Sequence, residues 1–226
     1  MAITLTSLVT RFRNRLDDAV VPYLWSNDEL TDYLNEIVND LCRDIPILED
    51  ATTAAVCQYA ITAGVMVVTL HARITVLKKA RLTSQTRLLD LRTAQYMDAV
   101  YPGWESSAAG TPTILVTEGV GTGKVKLYPP STVNETLNLT VYRLPVADLV
   151  WASDQAVAPE LPELYHDKLM NGILWKAYSK QDVDTYDARK RDSHERMWRI
   201  DREEIRRAVL KTRQRPEIVV PLQAMI

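Results

Sequence analysis

The stretch that decides the fold is "LWSNDELTDYLNEIVNDLCRDIP", Leu24 to Pro46. Ser26 followed three residues later by Glu29 is a capping box, in which each side chain satisfies the other's free backbone N–H. Trp25 outside the cap and Leu30 within the first turns make a hydrophobic staple. Asp28 and Glu29 place negative charge at the positive end of the helix dipole. Leu30, Tyr33, Leu34, Ile37, Val38, Leu41 and Ile45 then recur at three- and four-residue steps, which gives one apolar stripe. Pro46 cannot continue the helix. A helix with a fixed start, a fixed stop and one apolar face is built to pack against other helices.

Three further segments read as helices. Residues 5–18 put Leu5, Leu8, Phe12 and Leu16 on one face. "PELPELYHDKLMNGILWKAYSK", 159–180, has Pro162 in a first-turn position and a stripe of Leu164, Tyr165, Leu169, Ile173 and Ala177. Its Gly172 admits a close neighbour. Residues 184–213 form the longest and most charged helix, with a thin stripe of Tyr186, Met197, Ile200, Ile205 and Val209.

Between them the period changes to two. "AAVCQYAI" and "VMVVTL", separated by Thr62-Ala63-Gly64, read as a hairpin. "RITVLKKARL" follows, "TAQYMDAV" reads as one or two helical turns, and "TILVTEG", "GKVKLYP" and "TLNLTVYRL" read as strands. The fold class is therefore α+β. The expectation is an antiparallel bundle of N- and C-terminal helices carrying a small inserted β-rich module and an extended C-terminal arm. The segments are 1–50 (N-terminal helices), 51–150 (β-rich module), 151–215 (C-terminal helices) and 216–226 (arm).

The composition, 46% hydrophobic and 25% charged over 226 residues, is that of a globular protein with a sizeable core. A net charge of −2 argues against a generally basic nucleic-acid binder. Arginines follow the first apolar residues, the reverse of a secretory signal, and the uncharged run 51–70 is too diluted by Thr, Gln and Gly to span a membrane. Cys42 and Cys57 have no metal-ligand spacing and read as buried free thiols.

No constellation supports an enzyme. "GVGTGKV", 119–125, fails as a phosphate loop, because Glu118 stands where the first Gly belongs and Val125 where Ser or Thr would bind magnesium. His71, His166 and His194 are scattered and lack zinc-ligand spacing. In "YHDK", 165–168, His166 and Asp167 point in different directions on a helix and no nucleophile motif lies nearby, so His166 reads as a surface histidine. No cofactor or metal is expected.

Residues 184–215 carry eleven Lys or Arg against seven Asp or Glu, an excess of four positives. Asp187 with Arg191, Asp192 with Arg196, Glu195 with Arg199, and Glu203 with Arg207 stand four apart with the acid first, the favourable order on a solvated helix. Alternatively, Arg196, Arg199, Arg202, Arg206 and Arg207 face neighbouring copies or passing DNA. Lys78, Lys79 and Arg81 either decorate a strand or sit at a contact edge. Beyond "KTRQRP" the chain continues "EIVVPLQAMI". Pro216, Ile218, Val219, Val220, Pro221, Leu222 and Ile226 either fold back or dock on another chain as an arm.

Taken in order, the capped second helix, "YPGW" at 101–104 followed by "GTPTI", "VKLYPPSTVNETLNLTVYRLP", and "ELPELYHDKLMNGILWKAYSKQDVDTYDARK" resemble the head–tail adaptor (connector) proteins of tailed bacteriophages. The short-tailed phages are nearest. The resemblance implies a structural virion protein at the head–tail junction, made in the host cytoplasm. It implies a ring, commonly of twelve copies, that binds the portal protein above and the tail nozzle or tail tube below. Such a ring extends the DNA channel and touches passing DNA transiently, and its C-terminal segment grips the portal. The alternative reading is a DNA-binding module using the basic C-terminal helix.

Overall fold

A computed structural model describes residues 3–213. Along the chain run α1 (Leu5–Leu16), α2 (Asn27–Asp44), β1 (Leu48–Asp50), α3 (Ala54–Cys57), β2 (Gln58–Ile61) and β3 (Val67–Thr69). They are followed by β4 (Ile74–Leu82), β5 (Asp90–Thr93), α4 (Ala94–Val100), β6 (Ile114–Glu118), β7 (Lys124–Tyr128) and β8 (Glu135–Arg143). Then come α5 (Trp151–Asp154), α6 (Leu169–Tyr178) and α7 (Ala188–Arg213). Helix and sheet are thus mixed in an α+β protein, which divides into two compact units: Leu48–Val146, and the chain on either side of it.

In the helical unit, Thr4 caps α1 by accepting the Ser7 N–H, while the N–H groups of Leu5 and Thr6 bond the carbonyls of Val157 and Gln155. The capping box of α2 is complete: Ser26 N–H donates to Glu29 Oε2 at 2.8 Å and Glu29 N–H to Ser26 Oγ at 3.1 Å. Trp25 and Leu30 are both buried.

The centre of this unit is α6, which packs on α1, α2 and α7. Gly172 makes the approach possible. A Cβ there would stand 3.0 Å from Ile37 Cδ1 of α2 and 3.0 Å from the Trp198 ring of α7. At its end, Trp25 Nε1 donates to the Ala177 carbonyl at 3.1 Å. The Trp25 ring meets Tyr178 edge-on, and Tyr178 stacks on His194. Lys180–Glu29 and Lys176–Glu36 ion pairs tie α6 to α2 along its solvent side.

The β unit has two four-stranded sheets. In the first, the nine-residue β8 carries β1 and β2 along one edge and β4 along the other, all antiparallel. In the second the order is β3-β7-β6-β5; β5 and β6 are parallel and are joined through α4. Both contribute to one core, with Val56, Cys57 and Leu82 meeting Leu115, Leu127, Leu137 and Leu139. A smaller cluster of Met97, Trp104, Ile114 and Val116 seats α4.

The hairpin expected from "AAVCQYAI" and "VMVVTL" does not form. The Asp50 carboxylate accepts the N–H groups of Thr52 and Thr53, which starts a helical turn at Ala54–Cys57 instead of a strand. β2 then pairs with β8 and β3 with β7, so the Thr62–Gly64 turn carries the chain from one sheet into the other. Cys57 ends a helical turn, and both cysteines are buried and free.

Candidate interaction surfaces

The arm residues Pro216, Ile218, Val219, Val220, Pro221, Leu222 and Ile226 lie outside the described residues. The charged helix, α7, is described over Ala188–Arg213. α7 seats Trp198, Ile205 and Val209 in the core, whereas Met197 and Ile200 are about half exposed. The buried face is therefore turned from the sequence reading. The register follows Trp198, for which Gly172 leaves room.

The five candidate arginines of this helix, Arg196, Arg199, Arg202, Arg206 and Arg207, are mostly engaged within the protein. Arg199 pairs with Glu195 at 2.6 Å, Arg206 with Glu203 at 3.2 Å, and Arg202 with Asp44 of α2. Arg196 Nε bonds the Asp192 carbonyl, and Arg207 is exposed beside Glu204, whose carboxyl is held low first by the hydrogen bond and charge of Lys168 and only then by Arg207. Of the four expected i,i+4 pairs only Glu195–Arg199 forms among the described contacts. Asp187 is taken by the N–H groups of Arg189 and Lys190 at the start of the helix, which leaves Arg191 to Asp192. Lys168 reaches across from the 3₁₀ turn Glu163–Lys168 to Glu204.

A surface that the sequence reading passed over is the loop between α1 and α2. "AVVPYL", 19–24, carries no charge, and Val20 and Val21 are 80% and 71% exposed. It is nevertheless held firmly. Arg13 Nη1 donates to Asp18 Oδ2 at 2.6 Å in a buried pair, and the same carboxylate accepts the N–H groups of Leu24 and Trp25. Arg13 Nη2 also donates to the Trp25 carbonyl and to Asn27 Oδ1. The Tyr23 ring lies 3.6 Å from the guanidinium carbon. A contiguous apolar stretch left in water is a feature of contact surfaces, and the buried charge pair holds its backbone in place. The signal in the sequence is five apolar residues and a proline between two helices.

The histidines, Cys57 and the glycine-rich turn sit in packed or turn surroundings. His166 is buried, not at the surface: its Nε2 is 2.8 Å from the Leu161 carbonyl and Nδ1 has no partner among the described residues. It points inward because the segment bearing it is a 3₁₀ turn, with three residues per turn, not the α-helix expected. His194 lies under Tyr178, where burial and then the positive charges of Lys190 and Arg15 push its pKa below the usual value. Burial, and then the Asp50 carboxylate nearby, push the Cys57 thiol up to about 11, an unreactive value. Gly121 and Gly123 both have positive φ, as a tight β6–β7 turn requires. Among the described residues no group of His, Cys, Asp and Glu is arranged to hold a metal, and no helix is long and apolar enough to cross a membrane.

A search of curated proteins finds no match to the chain. The sequence model of the SU10 adaptor protein, in contrast, matches residues 3–220, nearly the whole chain. The chain belongs to the SU10 adaptor protein family, structural head–tail adaptors of bacteriophage virions.

Proposed function

We propose that the protein forms a ring between the portal and the tail nozzle or tail tube, twelve copies extending the DNA channel at the head–tail junction. The observation that carries this reading is the family match over residues 3–220. The rigidity of the helical unit supports it. A ring closes only if each heterologous contact repeats at the same angle, so the subunit must not flex. Gly172 wedged between Ile37 and Trp198, and the capping box of α2, give that stiffness. The helices before and after the β unit act as one bundle in this reading.

Two surfaces meet the partners. The apolar loop 19–24, fixed by Arg13 and Asp18, is presented to a neighbouring virion protein. The C-terminal segment from Pro216 to Ile226 docks on the portal as an extended arm. The reading of α7 as a DNA-binding helix has less support, since Arg199, Arg202 and Arg206 already have acidic partners.

Deleting the residues after Arg215 tests the arm. The truncated protein keeps its melting temperature and loses binding to assembled portal. Portal binding equal to that of the full chain would overturn the assignment.

A further inference from the structure

We infer that the outer face of the β4–β8 sheet, around Lys79 and Arg81, binds the phosphodiester backbone of double-stranded DNA. The inference starts from a register break. β4 pairs with β8 through Leu77↔Val141 and then Lys79↔Thr140, so Lys78 is an extra residue, a bulge. Beyond it the strand alternates: Ala80 and Leu82 are buried in the core opposite Leu139 and Leu137, and Lys79 and Arg81 are exposed opposite Thr140 and Asn138.

The bulge separates three cations that look alike in the sequence. Lys78 is taken up at 2.6 Å by Glu49 and lies over the Tyr142 ring. Lys79 and Arg81 have no acidic partner among the described residues. They stand two apart on one face, about 7 Å along the strand. Both line an open cleft of about 200 Å³ together with Thr86, Asn138 and Thr140, and no carboxylate lines it.

Charge also favours an anion here. Residues 48–146 contain nine Lys or Arg against seven Asp or Glu, a net of +2 in a chain of net −2. Arg143, Arg87 and Lys126 of this unit pair with Asp50, Asp90 and Glu105. Positive charge is therefore left over on this face of β4, flanked by hydroxyl and amide donors. Lys and Arg with Thr and Asn are the side chains that contact phosphate oxygens without reading sequence. Two contacts per copy bind weakly, which suits DNA that must slide. The proposal draws its setting from the DNA-conducting ring above, but its chemistry stands apart from ring assembly.

The test is titration of the ¹⁵N-labelled full chain with a short DNA duplex, followed by NMR. At about 20 mM salt, amide shifts are expected at Lys79, Arg81, Asn138 and Thr140. For two phosphate contacts the affinity falls about sixty-fold on going to about 200 mM salt. The double variant Lys79→Gln/Arg81→Gln, altered only at exposed positions, keeps the wild-type melting temperature and loses these shifts. Shifts confined to α7, or no shifts at low salt, would overturn the inference. So would equal affinity for polyglutamate, which would assign the face to an acidic protein. None of these outcomes bears on the arm deletion, so the two readings fail separately.

Discussion

Arg13 and Asp18 form a buried ion pair at 2.6 Å, and the Asp18 carboxylate is also the acceptor that fixes the backbone at Leu24 and Trp25. One group thus joins the end of α1 to the start of α2 and holds the apolar loop between them. Asp18→Asn leaves Arg13 buried without its countercharge, a change that costs roughly 3 kcal/mol. Urea denaturation measures the loss. Hydrogen exchange at the Leu24 and Trp25 amides accelerates more than exchange at Ile37 inside α2. Unchanged exchange at Leu24 and Trp25 would show that the loop is fixed by something else.

Gly172 is a second point where two effects oppose each other. Glycine inside a helix is about 1 kcal/mol worse than alanine. An added Cβ, however, meets Ile37 at 3.0 and 3.1 Å and Trp198 at 3.0 Å, and both neighbours are buried. Overpacking of this kind costs about 1–3 kcal/mol. Contact on both sides decides the sign, so Gly172→Ala is expected to lower stability by about 1 kcal/mol and the melting temperature by a few degrees. A rise in melting temperature would mean that α2 and α7 can move apart.

Asp50 gives the β unit a pH dependence. Burial raises its pKa, but hydrogen bonds from Thr53 and Thr52 and from Arg143 more than offset this and hold the carboxyl well below the usual range. A depressed carboxylate stabilises the fold above its unfolded pKa, about 4, and that contribution is lost as pH falls through the folded value. Asp50→Asn therefore costs roughly 3 kcal/mol at neutral pH. The gap between variant and wild type narrows as pH falls from about 4 toward 2. A constant gap across that range would refute the assignment.

Some of this architecture is written locally and some is not. The α2 boundaries are legible because Ser26, Glu29 and Pro46 act on their own neighbours, and β6, β7 and β8 are legible because β6 is a short apolar run and β7 and β8 largely alternate, each bounded by turn residues. The partners of β2 and β3 are not, since Gln58 pairs with Asn138 and Val67 with Lys126, far along the chain. Asp50 looks like an ordinary acid in the sequence, yet it diverts residues 54–57 into a helical turn. On α7 the few apolar residues allow more than one buried face, and the choice of Trp198 over Met197 and Ile200 is made by the gap at Gly172. The loop 19–24 was visible as an apolar run, but its rigidity depends on Arg13, whose burial no periodicity reveals. Lys78, Lys79 and Arg81 are indistinguishable until the bulge assigns each its surroundings.

The central claim is a structural role at the head–tail junction, and cryo-electron microscopy of the intact virion tests it most directly. A ring of density between portal and tail is expected, into which the helical and β units both fit, with each C-terminal segment running onto the portal. A virion neck with no density for this chain would contradict it.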